Sequence, residues 1–183
     1  MSYPRFAAMT LTSTLVMFGL MYLNTYALEH IDFSQTRMWM ALVMGAAMAA
    51  IMMAFMWNMY KNRVANFAIL LVSALVFAGA LALVRSQATV GDLSYMRAMI
   101  PHHSIAIMTS ERAHIRDPQV RLLADRIIEA QVREIAEMKG HIARLEANAV
   151  PADAPDLPSY RSLGAPAPQP PDGGNGSVSN RWP

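Results

Sequence analysis

The chain has 183 residues, is 54% hydrophobic and is only 15% charged, where an ordinary soluble domain is about 25% charged. Up to Val84 the only charged residues are Arg5, Glu29, Asp32, Arg37, Lys61 and Arg63, so 22 of the 28 lie in the rest of the chain. That split excludes a single soluble domain, and the apolar fraction excludes a disordered chain. The absence of cysteine excludes disulfides, thiolate metal sites and iron–sulfur clusters, and a net charge of +2 with alternating signs gives no mark of nucleic-acid binding.

In chain order, the first three elements are apolar. Phe6 to Leu28, Met38 to Tyr60 and Val64 to Val84 carry no formal charge over 23, 23 and 21 residues. A helix crosses a hydrocarbon core of roughly 30 Å with about 20 residues, so the expectation is three transmembrane helices at about 6–28, 38–60 and 64–84 within a membrane domain 1–84. Tyr3, Tyr22, Tyr26, Trp39, Trp57 and Tyr60 lie near their ends, as an interfacial belt requires. Arg5, Lys61 and Arg63 put the amino terminus and the turn after the second span in the cytoplasm by the positive-inside rule. Everything after Val84 is then outside, in the periplasm of a bacterium whose inner membrane holds the chain, with Arg85 as a weak contrary sign. The alternative for the first span is a signal peptide cut after Ala27, which leaves the carboxyl-terminal half outside as well. Twelve of the 16 methionines precede residue 61. Met40, Met44, Met48, Met52 and Met56 repeat every four residues and form a thioether stripe, read first as flexible apolar packing and second as a soft path for Cu(I).

The soluble half, 85–148, opens on Gly91-Asp92, a turn with Asp92 as the expected N-cap. A helical pattern runs from about Leu93 to Ile115, with Pro101 implying a kink or a displaced start. Asp117 caps a second helix that Pro118 begins and that runs to about Asn148. Its apolar face is Val120, Ala124, Ile127, Ile128, Ile135, Met138, Ile142 and Leu145. The short joint makes the two helices antiparallel. Eight of the 11 prolines follow Asn148, so the segment 149–183 reads as a disordered Pro/Gly-rich tail.

Met96, Met99 and His103 are spaced i, i+3, i+7 on the first soluble helix, with His102 three residues from Met99. Gln131, Glu134, Met138 and His141 share a face of the second. A straight antiparallel fold about Arg116–Asp117 sets Met99 level with Glu134, His102 with Gln131, and Met96 near Met138. Thioether plus imidazole without thiolate suits copper, because sulfur favours Cu(I) and imidazole serves both oxidation states. Glu111-x-x-His114 offers a different chemistry, the carboxylate–histidine spacing of ferritin-like di-iron oxidases. A membrane-anchored interaction module without metal is the third reading. No nucleophile–base–acid set stands out, and Ser104 beside His103 does not make one, since adjacent helical residues point apart.

Met-Ile-Pro-His-His at 99–103, Ala106-Ile107-x-Met108, Leu123-Ala124 and Gln131-x-x-Glu134-Ile135-x-x-Met138 together resemble the domain of unknown function (DUF) 305 family over about residues 92–146. That family is related to the ferritin-like helical bundles and includes CopM-like periplasmic copper-binding proteins. The resemblance implies metal binding by Met99, His102, His103 and Met108, with Glu134 and Met138 close by; the stripes add Met96 and His141. The resulting expectation is an all-α membrane protein presenting a periplasmic helical hairpin that binds copper for buffering, tolerance or hand-over, and is not an enzyme. One hairpin buries little core by itself, so a homodimer completing a four-helix bundle is expected. Its other partners are the lipid bilayer and another copper-handling protein.

Overall fold

The computed structural model describes residues 2–151 and 153–159. They are helical throughout their regular parts: α1 Tyr3–Leu20, α2 Gln35–Phe55, α3 Arg63–Ser86, α4 Asp92–Arg112 and α5 Pro118–Ala147, with single 3-10 turns at Leu28–His30 and Trp57–Met59.

α1 starts on Pro4 in its first turn, where a missing N–H costs nothing. It ends at Leu20, eight residues before the end of the uncharged stretch. The chain past Leu20 finds better partners off the helix. Arg37 Nη1 donates to the Met21 carbonyl at 2.8 Å, and the Ser34 N–H donates to Tyr22 Oη at 2.9 Å. The Arg37 guanidinium also stacks on the Tyr22 ring, 4.5 Å from its centroid. A helix continued through Met21 would have to give up these bonds.

α2 and α3 are long and apolar enough to cross a membrane. α3 leaves Val64, Phe67, Leu71, Val72 and Leu75 exposed, apolar exposure of the kind that marks an interaction or membrane surface. α1 lies antiparallel to α2. Phe6 packs with Ala49, Met53 and Tyr60, and Tyr3 Oη donates to the Asn62 carbonyl at 3.0 Å and to Asn66 Oδ1 at 2.9 Å. Asn66 is fully buried and satisfied, since its Nδ2 donates to the Trp57 and Tyr60 carbonyls. Tyr3, Trp57 and Tyr60 therefore gather at one end of the bundle, whereas Trp39 donates through Nε1 to Thr89 Oγ1 at the other. α3 closes on Gln87 with φ 53°, the left-handed cap position that glycine favours.

Met1–Ala149 forms one compact unit. The apolar first half and the charged second half are joined within it, because α4 packs on α2 and on the Leu28–His30 turn. Gly91, not Asp92, is the N-cap of α4. Asp92 is the first helical residue and makes no capping bond through its side chain, although its carboxylate still sits favourably in the first turn. Pro101 does not interrupt α4, which runs through it with the ring buried. Asp117 caps α5 as its sequence position requires, accepting from the Gln119 and Val120 amides at 2.8 and 3.0 Å.

α5 lies against α4. Arg121 Nη1 donates to the Ser110 carbonyl at 2.9 Å, His103 stands beside Glu134, and Arg97 pairs with Glu146, contacts that run in opposite directions along the two helices. Their apolar seam is Ile100, Ile107 and Ile135, with Ile128, Met138 and Ile142 packed on it. The expected disordered tail lies mostly outside the described residues.

Candidate metal centre

α4 presents three different faces, because each residue turns about 100° from the last. One face, with Ile100 and Ile107, is the seam with α5. His103 sits at the edge of that seam, its side chain 14% exposed, with Nδ1 3.2 Å from Glu134 Oε2. The approach is close enough for charge pairing but off the direction of a hydrogen bond, so the buried Nδ1 has no hydrogen-bond partner. Burial holds the His103 imidazole below its ordinary pKa. The Glu134 carboxylate opposes that shift and His102 adds to it. A neutral imidazole with a free nitrogen beside a carboxylate is the form that a metal ion takes.

The second face carries His102 and Met99. Its ring centroid is 6.1 Å from that of His103, but His102 is exposed and points away from α5. With Met99 it lines an open cavity of about 430 Å³, whose far wall includes Met40 and Met44 of α2. Met99 lies about 40° from His103 and about 60° from His102 around the helix, on the edge that the two faces share. Glu134 is thus opposed by His103, one turn beyond the Met99 expected from a straight fold.

The other site residues separate. Met96 is buried on α4. Met138 packs on the isoleucine seam, where it serves as core. Met108 is half-buried and about 140° around the helix from His103. His141 is exposed, with Nε2 3.8 Å from Glu137 Oε1 on its own helix. Among the described residues no three His, Asp or Glu side chains stand close enough to hold an ion between them. Glu111 and His114 do not form a helical pair. α4 ends at Arg112, which puts His114 outside the helix, and both residues are exposed. The Glu111 side chain is hydrogen-bonded to the Tyr26 phenol, whose pKa it raises.

The third face carries Ser104, which the spacing of residues could not connect with its partner. Ser104 is fully buried. Its Oγ accepts the Tyr26 N–H at 2.8 Å and lies 2.9 Å from His30 Nδ1. His30 is itself buried, and its pKa is lowered first by that burial, then by Lys139, against Glu29. Serine, histidine and a carboxylate 3.8 Å from the ring's Nε2 have the outline of a nucleophilic triad. Complete burial of Ser104 keeps substrate out, and the set acts as the clasp between α4 and the loop after α1. No local sequence pattern links Ser104 and His30, since 74 positions separate them.

Among curated proteins, residues of this chain align at 44% identity over 57 positions with "Uncharacterized protein L153" of Acanthamoeba polyphaga mimivirus, covering 30% of this chain and 38% of that protein. The chain thus matches well under half the length of that relative. No solved structure matches the chain. Residues 92–175, which include α4, α5 and the His103–Glu134 pair, match the profile of the family described as "Domain of unknown function (DUF305)".

Proposed function

We propose that this is a membrane-anchored, extracytoplasmic copper-binding protein, with the ion held at the edge of an antiparallel α4–α5 hairpin of ferritin-like type. The observation that carries the reading is the buried, unpartnered Nδ1 of His103 beside Glu134, with Met99 and His102 on the adjoining edge. An imidazole and a carboxylate on one edge of α4, a second imidazole and a thioether on the adjoining one, and no thiolate in the chain, suit copper better than zinc or iron. The lowered His103 pKa supports the reading, because it leaves the imidazole neutral and free to bind. Cysteine-free ligation also suits an oxidising compartment.

Three crossings and a periplasmic hairpin complete the proposal. α1 runs antiparallel to α2, which brings Arg5 to the same end as Lys61 and Arg63, and α4 docks at the opposite end. That arrangement supports a cytoplasmic amino terminus in a bacterial inner membrane. Leu122, Leu123 and Val132 stay exposed on α5, which favours a homodimer that completes a four-helix bundle. The function is buffering, tolerance or hand-over of copper to another protein, without catalysis.

The test is metal selectivity of the purified full chain in detergent, titrated with Cu(I), Cu(II), Zn(II) and Fe(II). The expected result is copper retained in preference to zinc and iron. Binding of no metal at micromolar concentrations by a folded chain would favour a metal-free interaction module.

A further inference from the structure

The cavity beside α4 joins three separate elements. Met99 and His102 come from α4, Met40 and Met44 lie one turn apart at the start of α2, and Met21 follows the end of α1. Four thioethers and an imidazole therefore face one space at the end of the membrane helices. Met40 and Met44 are also the first two members of the stripe that continues along α2 at Met48, Met52 and Met56.

We infer that this cavity is a second metal site, taking a soft monovalent ion, Cu(I), between the membrane helices and α4 through Met40, Met44, Met99 and His102. The inference rests on the copper reading above but concerns different donors from the His103–Glu134 pair.

Charge decides which ion fits. Among the described residues no carboxylate lines the cavity, and the Arg37 side chain forms part of its wall. That guanidinium is turned onto the Met21 carbonyl and the Tyr22 ring, yet it remains a fixed positive charge nearby. A divalent ion there would meet a cation and no counter-charge, at a high desolvation cost. A monovalent ion bound by neutral sulfur and nitrogen avoids most of that cost, and thioether donors select Cu(I) on softness. The space, about 430 Å³, is larger than one ion needs. Methionine has three rotatable bonds and closes such a gap by swinging its sulfur inward. Nothing in the site requires a change of oxidation state; it is a binding and relay position where the α4 ligands meet the stripe on α2.

The experiment is Cu(I) competition against a chromophoric Cu(I) chelator on the full chain in detergent, repeated with Ag(I) alone as a redox-inert probe. Met40→Leu/Met44→Leu removes two sulfurs and nearly conserves volume. The expected result is one fewer Cu(I) and one fewer Ag(I) bound per chain, with the remaining site unchanged. His103→Ala is expected to do the converse, weakening the other site and sparing this one. Met99→Leu, on α4, is the second variant should the α2 pair disturb insertion, and it is expected to weaken the cavity site about tenfold or more. Wild-type stoichiometry and affinity in a folded Met40→Leu/Met44→Leu chain would overturn the inference and leave the His103 site standing. A wild-type chain that binds no Cu(I) would overturn both.

Discussion

At the scale of single residues, the buried polar groups are the ones with the largest consequences. Ser104 holds the Tyr26 amide and the His30 ring at once. Ser104→Ala leaves both without that partner, and an unmade bond to a buried group costs about 1–3 kcal/mol. Chemical unfolding of the full chain should show a loss in that range. No loss would mean that the clasp carries no stability. The same clasp sets a pH dependence. His30 and His103 both have folded pKa values below the ordinary imidazole value of 6.5. Protons therefore bind the unfolded chain preferentially. The stability is complete above pH ~6.5 and falls as pH drops through the lower, folded pKa values. Thermal unfolding between pH 8 and pH 5 should show this decline, with a smaller one in His30→Gln. An equal slope in that variant would remove His30 from the cause.

At the scale of elements, helix contacts depend on small residues. Gly45 of α2 faces Thr14 of α1 so closely that an added Cβ would collide with its Oγ1 and come within 3.0 Å of Cγ2. Threonine is branched at Cβ and cannot swing its side chain clear. Gly45→Ala should therefore separate α1 from α2, at a cost of about 1–3 kcal/mol typical of overpacking. Thr14→Ala in the same chain should recover most of it, and a cycle of the two variants in a detergent unfolding assay measures the coupling. Additive effects would contradict the close approach.

The elements were the most legible part of the sequence. Uncharged stretches announced α2 and α3, and Asp117-Pro118 announced the start of α5. The end of α1 was not legible, since Arg37 and Tyr22 are 15 positions apart and only the fold brings them together. On α4, the i, i+3, i+7 spacing picked out the side that meets α5 and the cavity but not the division between its faces. His103 turns to Glu134 while His102 turns to α2, a difference of one residue and about 100°. The Ser104–His30 contact spans 74 positions, beyond the reach of any local pattern.

At the scale of the whole molecule, the two ends of the helical bundle differ in charge and in what they carry. Arg5, Lys61 and Arg63 mark one end, and α4 with α5 covers the other. In the proposed topology, where α1 crosses together with α2 and α3, these ends lie on opposite sides of the membrane. A single cysteine at Asn62 should then be labelled only from the cytoplasmic side and one at Ala147 only from outside, since the chain has no cysteine of its own to compete. Labelling of both from one side would overturn the three-crossing topology. Ser104 and His30 join α4 to the loop after α1, and Trp39 joins the segment before α4 to α2 through Thr89, so the proposed metal-binding edge of α4 is held close to the start of the methionine stripe.

The most direct measurement is the Cu(I) affinity of the full chain, wild type beside His102→Ala/His103→Ala, by chelator competition at pH above 7, with folding of both verified by circular dichroism. Wild type should hold Cu(I), and the double variant should lose affinity by about tenfold or more, as removal of metal-supporting groups does. Equal affinity in the two chains would contradict copper binding by the α4 histidines.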